Sequence, residues 1–201
     1  AGLVGCGNRG TGAVLNFLDA GPNLEIIALA DAFQDQLDSC KAKLKEKNIE
    51  VPANQCFVGF DAYKQLLETD VDVVLLATPP HFRPEQFAAC VQAKKHVFME
   101  KPNAVDPVGV RTILSAGKKA EAFGLCVVNG TQRRHARDYN ATFVEIANGA
   151  IGEILGAKAY WLQSHVWYKN REEQWSDMEY MLRNWNNFSW LSGDHIVEQH
   201  V

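Results

Sequence analysis

Six residues near the start of the chain constrain its fold more than any others: Gly5-Cys6-Gly7-Asn8-Arg9-Gly10. They follow a short apolar run, Leu3-Val4, and open a stretch of helical spacing from about Gly12 to Leu18. A strand that turns directly into a helix through three glycines has few architectural solutions. Gly5 permits the tight turn, Gly7 lets a pyrophosphate approach the backbone, and Gly10 lets the helix pack closely on the strand. The helix N-terminus then offers free N–H groups and a partial positive charge to phosphates. Asp31 closes the second apolar run, 21 residues after Gly10, where an acid accepts hydrogen bonds from adenosine ribose hydroxyls. A carboxylate there repels a 2′-phosphate, so the pattern favours NAD over NADP. The competing reading of Asp31 is a helix N-cap before Ala32-Phe33.

The remainder of the first 130 residues supports that frame. Apolar runs at Glu25 to Ala30, Val71 to Ala77, His96 to Met99 and Leu125 to Val128 read as strands, with Cys56 to Val58 a weaker candidate. Helical spacing separates them, over Phe33 to Lys47, Tyr63 to Leu67, Pro84 to Ala93 and Val108 to Phe123. Val73 to Ala77 is apolar on both alternating faces, as in a strand buried from both sides. Alternating strands and helices predict an α/β fold, a doubly wound parallel sheet of the Rossmann type over residues 1–130. After Asn129 the texture changes. A helix is expected from Asp138 to Ala147, with Tyr139, Phe143, Ile146 and Ala147 on one face, and a strand from about Glu153 to Leu162. A polar, aromatic segment follows, and all five tryptophans fall between residues 161 and 190. Residues 131–201 read as the beginning of a second, α+β domain whose remainder lies outside this sequence.

Composition removes several classes of function. The formal net charge of −4 argues against a nucleic-acid binder. The apolar runs are far too short to span a bilayer. The five cysteines are scattered, with no pair closer than 16 residues and no zinc-finger spacing, so they read as reduced core residues in a cytoplasmic protein. No signal peptide is visible, although the chain opens abruptly at Ala1-Gly2-Leu3-Val4, and export by a leader lost with preceding residues stays open.

Five further segments carry candidate chemistry. Thr78-Pro79-Pro80-His81 leaves the fourth strand at its carboxyl end, where open α/β sheets bind ligands, and reads as a cofactor wall. Glu100-Lys101-Pro102 follows the short strand His96 to Met99; its ammonium can polarise a substrate oxygen, the alternative being a surface salt bridge. Thr131 to His135, with Arg134, either faces a ligand or caps the sheet edge, and the aromatic run Trp161 to Trp190, with Trp167, either stacks on sugar faces, packs a loop or makes a subunit contact. Finally, Asp194, His195, Glu198 and His200 fall within seven residues. On a helix His195 and Glu198 share a face. Their spacing meets no zincin-type motif, and no metal is expected.

Taken together, GCGNRG, Asp31, ATPPH, MEKP and the stretch from Asn148 to Ile154 resemble the Gfo/Idh/MocA oxidoreductases, over essentially the whole chain. The resemblance implies a Rossmann domain followed by a domain built on a large, mostly antiparallel sheet that commonly forms a dimer or tetramer interface. It implies NAD or NADP and a sugar or cyclitol substrate, with Lys101 contacting the nicotinamide end and the substrate hydroxyl. The family's Gly-Gly-x-x-x-Asp-x-Gly-x-His pattern, set on Gly193, places Glu198 at the acid, His200 at the third glycine, and the catalytic histidine one residue beyond Val201. Gly193 to His200 resembles a bacterial subgroup with a Glu-Gln-His signature. The expected chemistry is hydride transfer at a hydroxyl carbon, with Lys101 positioning the reacting hydroxyl and Glu198 and His200 moving the proton. The alternatives are a glycoside hydrolase that oxidises its substrate transiently with held NAD, and a non-catalytic NAD-binding protein.

Overall fold

The computed structural model describes residues 1–162 and 164–199. In chain order the elements of the sheet half are β1 (Gly2–Val4), α1 (Asn8–Asp19), β2 (Ala28–Asp31), α2 (Gln34–Lys45), β3 (Cys56–Val58), α3 (Ala62–Leu67), β4 (Val73–Leu76), α4 (Arg83–Gln92), β5 (His96–Met99), α5 (Pro107–Ala122) and β6 (Val127–Asn129). The strands form one parallel sheet in the order β3-β2-β1-β4-β5-β6. That order reverses direction between β1 and β4, the switch point at which such sheets bind ligands.

The strand pleat distributes side chains to two cores. Leu3, Leu29 and Leu75 stand in register and pack on one face with Val14 of α1 and Leu37, Cys40 and Leu44 of α2. Val4, Ala28, Ala30, Val74 and Leu76 point the other way, against Leu66, Phe87, Cys90, Val91, Ala116 and Ala120 from α3, α4 and α5. Both faces of β4 are therefore buried, as its unbroken apolar run predicts. Local chemistry bounds the helices. Pro107 opens α5, the Asp106 side chain accepts from Gly109 N at 2.6 Å, and Gly124 closes it at φ +67°.

Beyond the sheet lie α6 (Gln132–His135), α7 (Arg137–Ala147), α8 (Asp177–Arg183), α9 (Ser189–Ser192) and α10 (Asp194–Gln199). The expected helix over 138–147 is α7, and its apolar face is uncovered: Tyr139, Phe143 and Val144 are exposed. The expected strand from Glu153 to Leu162 does not form. A strand needs a neighbour to take its N–H and C=O groups. No described strand lies beside these residues, and Leu155 and Leu162 stand 89% and 92% exposed. No described helix is long and apolar enough to cross a membrane, and all five cysteines are free thiols.

Candidate functional site

The glycine turn is built as its sequence requires. Gly5 sits at φ +97°, and a Cβ there would lie 2.7 Å from Thr78 N. A Cβ on Gly10 would lie 1.8 Å from Gly5 O, so helix and strand touch backbone to backbone. Gly7 differs. Its φ of −64° suits any residue, and the nearest protein atom to its absent Cβ is Gln36 Oε1 at 3.9 Å. The protein's own packing does not demand a glycine there, and the open side leaves room for a ligand to approach the backbone. Gly7 is the N-cap of α1, no side chain caps that helix, and no acid occupies its first turn, so its N-terminal N–H groups remain available to an anion.

Asp31 ends β2 beside this loop. Its Oδ2 accepts from Cys6 N at 2.6 Å and its Oδ1 from Phe33 N at 2.8 Å. The N-cap of α2 is Phe33, without a side-chain cap, so Asp31 ties the glycine loop to β2 rather than capping the helix. Burial raises its carboxyl above the usual range, opposed by those two N–H groups and by Arg183.

A cavity of about 430 Å³ opens over the loop. Gly5, Gly7, Asn8, Arg9, Gly10, Asp31, Phe33, Thr78 and Pro79 line it, together with Trp167, Lys169, Arg183 and Trp185 from the later chain. It combines a helix N-terminus without a side-chain cap, a glycine with an open side, an acid at the end of β2 and aromatic walls, features that suit a dinucleotide.

A second cluster begins at Arg9, in that lining, and continues outside it through Glu100, Arg83, Lys101 and Glu198. Arg9 Nε pairs with Glu100 Oε1 at 3.0 Å. Arg83, buried at the start of α4, donates through Nη1 to Glu100 O at 2.8 Å and to Pro102 O, so it holds the carbonyls on both sides of Lys101. The Lys101–Pro102 peptide is cis. Burial pulls the Arg83 guanidinium down to about 10, with Glu100 and Glu198 opposing, and its Nε has no hydrogen-bond partner among the described residues. Lys101 Nζ donates to Glu198 O and lies 3.5 Å from Glu198 Oε1. An ammonium and a carboxylate separated by 97 residues thus meet beside the glycine turn.

The remaining candidates disperse. Pro80 is buried off the cavity. His81 is exposed; its N–H donates to Leu191 O at 3.2 Å and its ring packs edge-on to Trp190 at 5.2 Å, so it joins β4's exit loop to α9 rather than facing the cavity. Trp167 stands in the cavity wall beside Trp185, not with Lys101. Arg134 is exposed on α6, while its neighbour Arg133 lies over the Tyr139 and Trp161 rings. Asp194, at φ +69°, accepts from His195 N at 2.6 Å, and both are exposed on α10. His200 lies outside the described residues. Sequence reading missed Arg83 and Arg183. Arg83 had a signal, being a charge in phase with the apolar stripe Phe87, Cys90 and Val91 of α4. Arg183 had none.

Comparison with known proteins follows the same lines. The model of the Gfo/Idh/MocA family, described as an oxidoreductase family with an NAD-binding Rossmann fold, matches residues 1–130. The chain is 29% identical over 155 residues to a myo-inositol 2-dehydrogenase of Thermotoga maritima, covering 76% of this chain and 42% of that protein. It is 33% identical over 164 residues to a glycosyl hydrolase family 109 protein of Streptomyces niveus, covering 79% and 32%. Among solved structures, scyllo-inositol dehydrogenase from Lactobacillus casei, with bound NAD(H) and scyllo-inositol, superposes with a TM-score of 0.61 at 23% identity, over 76% of this chain and 42% of that one. The chain therefore spans less than half the length of these relatives.

Proposed function

The chain belongs to the Gfo/Idh/MocA oxidoreductase family, and on that premise we propose that it is the nucleotide-binding portion of an NAD-dependent enzyme acting on a hydroxyl carbon of a sugar or cyclitol. Residues 1–130 are the Rossmann domain, and residues 131–201 begin a substrate domain through which the protein forms dimers or tetramers. The scattered cysteines support a cytoplasmic setting. The observation that carries the reading is the link from the glycine loop through Arg9 and Glu100 to the Lys101–Glu198 pair. It sets one cation and one carboxylate next to the nucleotide cavity.

In this reading Gly5, Gly7, Gly10 and the first N–H groups of α1 hold the diphosphate, and Asp31 takes the ribose hydroxyls. Thr78, Pro79 and Pro80 form the loop flanking the nicotinamide side, and His81 braces that loop. When bound, NAD supplies the hydride acceptor. Lys101 donates to the reacting oxygen and steadies the charge that develops there. Glu198 holds the Lys101 ammonium and, with His200, takes the proton. Arg83 fixes the backbone that presents Lys101. Arg134, Asp194 and His195 are left to contact substrate from the later chain.

Changing Lys101 to Ala in the full-length protein tests this. Turnover on a polyol panel, read as NADH at 340 nm, should fall by roughly 10²–10⁴-fold while NADH binding persists. Near-normal turnover removes Lys101 from the mechanism. A second reading, a glycosidase that recycles held NAD, is favoured by the likeness to the family 109 hydrolase. Aglycone release from aryl glycosides without net NADH selects it.

A further inference from the structure

The wall of the nucleotide cavity contributed by the later chain contains a charge that the reading above leaves unused. Arg183 ends α8, with its side chain only 10% exposed. Its guanidinium lies 4.2 Å from the Phe33 ring centroid and 4.8 Å from that of Trp175. Nη1 and Nη2 donate to Asp35 Oδ2 and Oδ1, both at 2.9 Å, and Nε donates to Glu179 Oε1 at 2.8 Å. Arg183 lines the cavity together with Asp31, and its charge is felt by the Asp31 carboxylate. An arginine at this end of a Rossmann site is the group that accommodates the 2′-phosphate of NADP. Here two carboxylates already hold it. Asp35 is more than half exposed, so the pair adds little to stability, but its fork-on-fork geometry fixes where the guanidinium points.

We propose that Asp35 and Arg183 form a nucleotide-selectivity lock: the ion pair keeps the guanidinium in the cavity wall, stacked on Phe33, and withholds it from a 2′-phosphate. The site therefore takes NAD over NADP for two reasons, the carboxylate of Asp31 and an arginine held out of reach. This rests on the cavity being the nucleotide site, and it makes Asp35, which touches no part of the reacting centre, a determinant of specificity.

The test is equilibrium binding of NADH and NADPH to nucleotide-stripped, full-length protein, read by energy transfer from the cavity tryptophans Trp167 and Trp185. Asp35→Ala should improve NADPH affinity relative to NADH by about tenfold or more. Adding Arg183→Met to that variant should abolish the gain. If Asp35→Ala does not fold, Asp35→Asn, which keeps the shape and drops the charge, carries the same comparison. An unchanged ratio with NADH binding intact overturns the lock. A gain that persists in the double variant also overturns it, because removal of a negative charge then suffices without the arginine. Wild-type protein that prefers NADPH sinks the lock and leaves the nucleotide site standing. Wild-type protein that binds neither nucleotide sinks both.

Discussion

Gly10 and Gly7 stand in different surroundings, and that difference separates a packing requirement from the proposed ligand contact at single positions. A methyl on Gly10 would sit 1.8 Å from Gly5 O, an atom of the backbone that cannot turn aside. Gly10→Ala should cost about 3 kcal/mol or more and lower the melting temperature of the nucleotide-free protein. A methyl on Gly7 meets only Gln36 Oε1 at 3.9 Å, at an ordinary φ. Gly7→Ala should leave the melting temperature nearly unchanged and weaken NADH binding by about tenfold or more. Paired melts and titrations check both, and equal loss of stability in the two variants would refute the assignment. At this scale the turn was legible: GxGxxG after a strand specifies the positive φ at Gly5 and the backbone contact at Gly10. Arg83 was less so, because a buried arginine is recognisable only when its helix stripe is known.

At the scale of elements, the helices and strands of residues 1–130 emerged close to where periodicity places them, even the short edge strand Cys56–Val58. Segment 153–162 is the counterexample. Its apolar character marks a strand, but a strand exists only when another supplies its hydrogen-bonding partners, and no described segment does. Helix α8 depends on such a remote partner as well. Arg183 holds the Asp35 carboxyl down to about 2, below the usual value near 4. A carboxyl depressed by folding contributes stability that is complete above its unfolded value and is lost as the pH falls through the folded one. Acidification from about pH 4 to pH 2 should therefore release α8 from α2. Exposure of Asp35 keeps the effect local rather than global. The fluorescence of Trp175, stacked on Arg183, should change over that window and lose the step in Asp35→Asn.

For the molecule as a whole, the cavity proposed for the nucleotide joins the Rossmann half to the chain after residue 160, since Asp31 and Phe33 share it with Trp167, Arg183 and Trp185. A ligand gripped from both sides links them. NAD at about a hundred times its dissociation constant should add roughly 2.7 kcal/mol to stability and slow amide exchange in α8 as well as in the glycine loop. Protection confined to the loop would show that the later wall takes no part. The amino-acid sequence alone determined the alternation of strands and helices, the glycine turn, the acid at the end of β2 and the apolar faces. Each depends on residues within one or two turns of chain, where side-chain period and backbone sterics act directly. Only tertiary structure decided that Arg183 meets Asp35 across 148 residues, that Lys101 meets Glu198 across 97, and that Trp167 lines the cavity over the glycine loop. Polar side chains carry no period that names their partner. Which of them pair follows from how the crossovers bring distant segments together and from burial that makes an unpaired charge too costly to keep.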